Sequence, residues 1–231
     1  MLTITRHTET PSEHIGMQVI AMAADYFTEI SLAGTPPSNP LYPIHQAALA
    51  IELGIYLQGI GKSDERPVGL ITATDTDNPG EVVGFLNYLP LTGIEGACGV
   101  TYMAVLQGHR RKGIARAMMT ELLASHPHTE LSCFVEKVPF YERLGFQLIG
   151  LRNTQVRMCT RAESAKGTMQ ALDVDALLGT PPIQAVLRAQ VQKVGQRAFK
   201  DADRKFDRHI EQRSRQAKAF VEQHLGIDAL S

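Results

Sequence analysis

This 231-residue chain has neither a long apolar run nor an excess of one charge, and each absence removes a class of protein. No stretch of about 18 apolar residues occurs, so no membrane span is expected. The nearest approach, residues 47–60, is interrupted by Glu52 and Gln58. The start, Met1 to His7, lacks the apolar core of a secretory signal. A formal net charge of −1 leaves no global electrostatic footprint, so nucleic acid is not an expected partner. Cysteine is scarce: Cys98, Cys133 and Cys159 show no CxxC spacing, which excludes a zinc signature, and an odd count does not suit a disulfide framework. Buried reduced thiols in a cytoplasmic protein are the expectation. His126 and His128 flank a proline and read as loop, so no metal is expected. There is no Walker loop and no Rossmann GxGxxG.

What is present is ordinary in bulk and specific in places. Hydrophobic residues make up 44% of the chain and charged residues 20%, as in a globular protein. Apolar residues recur at helical spacing over 14–31 and 44–57, separated by Gly34-Thr-Pro-Pro-Ser-Asn-Pro40, where three prolines cannot continue a helix. Residues 59–67 read as a loop. Strands follow at 68–73, 81–89 and 99–105, the first two joined by a turn over 74–80. Helix 113–125, strand 131–135, short helix 138–144 and a hairpin of 146–150 with 155–159 complete a mixed-sheet α/β unit.

The most informative segment runs from Val105 to Met118. A strand ends, Arg110, Arg111 and Lys112 form a basic turn, and Gly113 and Ala115 open an amphipathic helix. The first turn of a helix leaves backbone N–H groups without partners at an electropositive end, so a pyrophosphate fits there if side chains are small. The alternative is a solvated basic turn before an ordinary helix.

Arg110-Arg111-Lys112-Gly113-Ile114-Ala115 resembles the Q/R-x-x-G-x-G/A motif of the GNAT acetyltransferase superfamily, and Met103-Ala-Val-Leu resembles that family's fourth strand. One helix and one strand later, Val138-Pro-Phe-Tyr141-Glu-Arg-Leu-Gly145-Phe146 is similar to its closing FYxxxGF element. The resemblance covers about residues 1–160 and implies a GNAT acyl-CoA N-acyltransferase fold with acetyl-CoA as donor and an amine as acceptor. It implies that Met103, Ala104 and Val105 hold the pantetheine arm through their main chain. Arg110, Arg111, Lys112, Gly113, Ile114 and Ala115 would hold the pyrophosphate, and Tyr141 would give a proton to the departing thiolate. Phe140 and Phe146 are expected in the core. The fourth strand carries no acid, so Glu81, Glu95, Glu136 or a water remain open as the base. Asp25 and Glu29 are acids that could attract a cationic amine or simply face solvent.

The expected organisation is a GNAT domain over 1–160, a linker over 161–182 and a helical extension over 183–231. Phe199, Phe206 and Phe220 share one heptad position, interrupted by Arg213, with Ile210 and Ala217 at the companion position. Residues 181–231 carry ten Lys and Arg against six Asp and Glu. Packing back on the domain, a homodimer or a protein partner are the readings of that seam. A catalytically silent module working through the helix is the alternative to an enzyme.

Overall fold

A computed structural model describes residues 2–62, 66–78 and 80–226. Residues 63–65 of the 59–67 loop, Pro79 of the 74–80 turn and residues 227–231 of the extension lie outside the described residues.

Seven strands form one mixed sheet: β1 (Leu2–His7), β2 (Gly69–Asp75), β3 (Val82–Pro90), β4 (Ala97–Val105), β5 (His128–Cys133), β6 (Gln147–Arg152) and β7 (Gln155–Cys159), in the order β1-β2-β3-β4-β5-β7-β6. β1 to β4 are an antiparallel meander, and β4 pairs with β5 in parallel through the crossover helix α4 (Ile114–Ser125). The expected element order thus lacked one strand, β1. It sits at the sheet edge, and its Arg6 guanidinium reaches across to the Ser125 hydroxyl, the Glu121 carbonyl and, at 3.0 Å, the Glu121 carboxylate.

Helices α1 (Glu13–Asp25) and α3 (Tyr42–Gly59) cover one face, enclosing a core around Val19, Leu53, Leu70 and Phe85. α4 covers the other face above Ile71, Leu86 and Met158. Gly84 allows that approach, because a Cβ there would lie 3.1 Å from Ile114. The helix expected over 14–31 is divided: α1 ends at Asp25 and a single turn, α2 (Phe27–Ile30), follows. The Tyr26 hydroxyl accepts the Gln107 N–H at 2.7 Å, which ties the break to the exit of β4.

The segment expected as a linker over 161–182 holds a short helix, α6 (Val174–Leu178), and the start of α7 (Pro181–Val194), which continues into the extension before α8 (Gln196–Leu225), the last two divided at Gly195 with φ 82°. The apolar seam of the extension lies against the rest of the chain. Phe199 and Phe206 join Ile183 beside α3, while Ala217, Phe220 and Val221 join the core at β6 and β7. Among the described residues no helix is long and apolar enough to cross a membrane, and the three cysteines are buried and unpaired.

One carboxylate is buried in α3. Glu52 is 5% exposed and accepts the Tyr102 hydroxyl at 2.6 Å. Burial raises its pKa from 4.5, and hydrogen bonds from Tyr102 and Tyr56 only partly oppose that. The folded state therefore holds this proton more tightly than the unfolded chain, so stability falls as pH rises above the ordinary carboxylate value toward the folded one. Glu52→Gln is expected to flatten that part of the stability–pH curve in denaturant titrations. An unchanged slope would show that Glu52 does not carry it.

Candidate active site

The parallel pairing of β4 with β5 runs only from Ala97↔His128 to Val100↔Leu131. There β4 bulges at Thr101, since Asn87 opposes Tyr102 and Tyr88 opposes Val100. The Thr101 hydroxyl donates to Oδ1 of the fully buried Asn87 at 2.7 Å, which fixes the bulge. β5 then follows β7 on its other side, through Glu130↔Cys159 to Cys133↔Val156. The two strands diverge, and a cleft of about 640 Å³ opens between them. Met103, Ala104 and Val105 form one wall, and Leu131 to Phe134 form the other.

The basic turn stands at the mouth. Arg111 (φ 65°) and Gly113 (φ 81°), on either side of Lys112, both take positive φ, which turns the chain sharply into α4. Gly113 is the N-cap of α4, no side chain caps that helix, and its first bond runs from the Ala117 N–H to the Gly113 carbonyl at 2.9 Å. The N–H groups of the first turn are thus available to a ligand. A Cβ at Gly113 would meet nothing within 4 Å, so the position is open. Arg110, Arg111, Gly113, Ile114 and Ala115 border the cleft, and Lys112 does not. Arg116 and Arg143, which the motifs did not single out, border it as well.

Arg110 is engaged elsewhere than at the helix end. Its Nε donates to the Val105 carbonyl at 3.1 Å, its guanidinium pairs with Glu29 at 3.1 Å and lies 4.7 Å from the Tyr26 ring centre. Glu29 also meets Lys137 Nζ at 3.6 Å. Among the described residues Glu29 is the one carboxylate bordering the cleft. Of the acids proposed as base from sequence, Glu81 accepts from Asn78 within a turn, Glu95 is exposed beyond the opposite end of β4, and Glu136 pairs with Arg213 at 2.6 Å. None of the three borders the cleft. Spacing alone could not select Glu29, because an acid on a short helix looks the same whether it faces a cleft or solvent.

Tyr141, on α5 (Val138–Glu142), closes the cleft between Phe140 and Phe146, whose ring centres lie 5.0 Å and 5.8 Å away. Phe146 is in the core as expected. Phe140 is only half-buried and borders the cleft instead, because the single turn of α5 presents it there. Burial pushes the Tyr141 hydroxyl pKa well above its usual 10.0, with the nearby Cys133 adding to the rise. Tyr141 is therefore protonated at neutral pH. Burial likewise pushes the Cys133 thiol up to about 12, so it is no nucleophile there. His126 bonds the Ser125 hydroxyl and His128 the Glu163 carbonyl, each with its own partner.

An open fourth strand, an uncapped helix N-terminus beside its exit and Tyr141 between the parting strands thus meet in one cleft. Residues 67–148, about a third of the chain, match the family model of the acetyltransferase (GNAT) domain. The PaiA N-acetyltransferase of Thermoplasma acidophilum, solved with coenzyme A, superposes with a TM-score of 0.51 at 12% identity, over 69% of this chain and 99% of its own. An acyl-CoA N-acyltransferase from Pseudomonas aeruginosa gives 0.49 at 12% identity, over 70% of this chain and 100% of its own. At such identities the likeness is one of fold. No curated protein sequence matches the chain.

Proposed function

We propose that this protein transfers an acetyl group from acetyl-CoA to a primary amine by direct attack on the thioester. The observation that carries this reading is the meeting of three features in one cleft: the unpaired edge of β4, the uncapped start of α4 and the Tyr141 hydroxyl. The fold is shared with a protein solved with coenzyme A, which supports the choice of donor.

The residues present fit such a donor. The main chain of Met103 to Val105 would bind the pantetheine arm as an added strand, and the Arg111 to Ala115 turn would hold the pyrophosphate, with Arg116 and Arg143 as counter-charges. Arg110 positions Glu29 and the end of β4, rather than an anion, in this reading. Glu29 would draw the acceptor ammonium and accept its proton. Tyr141 would protonate the leaving thiolate. The apolar seam of the long helix is covered by its own chain, so no specific observation favours a silent scaffold working through that seam.

Thiol release from acetyl-CoA, measured against a panel of diamines, amino-acid amides and short peptides, tests the proposal. Tyr141→Phe should lower kcat by roughly 10²-fold for a productive amine. It should still be stabilised by acetyl-CoA, by about 2.7 kcal/mol at 100 times the Kd. Parent-like turnover in that variant would remove Tyr141 from the mechanism. A parent that acetyl-CoA does not stabilise would remove the mechanism itself.

A further inference from the structure

We propose that Lys137 is itself an acetyl acceptor, so that the enzyme acetylates its own cleft. This inference rests on the acetyltransferase reading and goes beyond it by naming one amine.

Lys137 is the single lysine bordering the cleft among the described residues. Its N–H bonds the Phe134 carbonyl at 2.8 Å, and its backbone is already helical (φ −94°, ψ −12°) as α5 begins. Tyr141 lies four residues on, and residues four apart on a helical turn share a face. The amine and the protonated hydroxyl therefore rise from the same side of one short turn, into the same cleft. From the opposite wall Glu29 brings its Oε2 to 3.6 Å from Nζ. Amine, proton acceptor and proton donor are the three groups that aminolysis of a thioester requires.

The step balances with acetyl-CoA, a thioester, as co-reactant. The Lys137 ammonium gives one proton to Glu29, which passes it to solvent. The freed nitrogen attacks the thioester carbonyl carbon, an N–C bond forms, and the C–S bond breaks with its electron pair going to sulfur. Tyr141 protonates that sulfur and is restored by the second proton, which the nitrogen loses on becoming an amide. The product is a neutral acetyl-lysine and a free thiol. Glu29 then has only the Arg110 partner of its original two and is freer to meet an external ammonium.

The test incubates the full chain with 1 mM acetyl-CoA and quantifies acetylation of each lysine by peptide mass spectrometry, with a thermal shift run in parallel. Lys137 should be acetylated at least roughly tenfold faster than the exposed Lys200 and Lys218. Its initial rate should not depend on protein concentration, and the excess should vanish in Tyr141→Phe. If acetyl-CoA stabilises the protein and an added amine is acetylated while Lys137 reacts no faster than Lys200, self-acetylation is wrong and the transferase reading stands. If Tyr141→Phe acetylates Lys137 like the parent, the modification is ordinary chemical acetylation and the proposal falls. If acetyl-CoA neither stabilises the chain nor marks any lysine preferentially, both readings fall together.

Discussion

Gly113→Glu is expected to weaken acetyl-CoA binding by roughly 10³-fold, about 4 kcal/mol, in a protein that still folds. The fold should tolerate it because a Cβ at this position meets nothing within 4 Å. The cost to the free protein is confined to holding a non-glycine residue at φ 81°, about 1–2 kcal/mol. Binding should not tolerate it, because the glutamate would bring a negative charge to the start of α4, which no side chain caps and which borders the cleft. Gly113→Ala separates the two effects: it carries the same backbone cost but adds no charge, and should keep affinity within about tenfold. Isothermal titration of both variants checks this, and a Gly113→Glu protein that bound acetyl-CoA like the parent would place the pyrophosphate elsewhere. Arg110→Glu is a poorer probe. It would face Glu29 with a second carboxylate and strip the Val105 carbonyl of its guanidinium partner, so a loss there would report a disturbed cleft wall.

The same contrast shows which parts of the site could be read from sequence. Arg111-Lys112-Gly113 and Phe140-Tyr141 are contiguous segments set by local backbone, so order along the chain was enough to expect the helix start and the Tyr141 segment in one fold, and both border the cleft. Glu29 and Arg110 form their contact across 81 residues. A basic residue before a helix suggests an anion, and only the tertiary fold reveals that this guanidinium is already occupied. β1 escaped notice because Leu2-Thr-Ile-Thr-Arg-His is short and half polar, and an edge strand buries only part of one face. The seam of Phe199, Phe206 and Phe220 was readable as a buried face, since periodicity identifies which side is covered. It does not identify the cover, which here is α3 for the first two and the β6–β7 side of the sheet for the third.

That cover gives the largest stability effect expected of this chain. A truncation ending at residue 195 removes α8, and with it Val221 and Ala217, both fully buried, and the packed rings of Phe199, Phe206 and Phe220. At about 1.5–3 kcal/mol for each large apolar side chain fully buried, the loss is on the order of 5 kcal/mol or more. That is comparable to the whole stability of a typical domain, about 5–15 kcal/mol. The truncated chain is therefore expected to be insoluble or to lack a cooperative thermal transition. Val221→Asp should reproduce part of the effect, at least about 3 kcal/mol, by burying an unpaired charge, whereas Arg197→Glu on the exposed side of the same helix should stay within about 0.5 kcal/mol. A truncated protein that melted like the parent and still bound acetyl-CoA would make α8 an appendage. The contacts at its middle argue against that: Arg213 stacks 4.6 Å from the ring centre of Phe134, a residue of the cleft wall, and His209 bonds the carbonyl of Ala33 in the loop beside it. Removing α8 thus uncovers two cores and releases one side of the cleft, so binding and folding are expected to be lost in a single step.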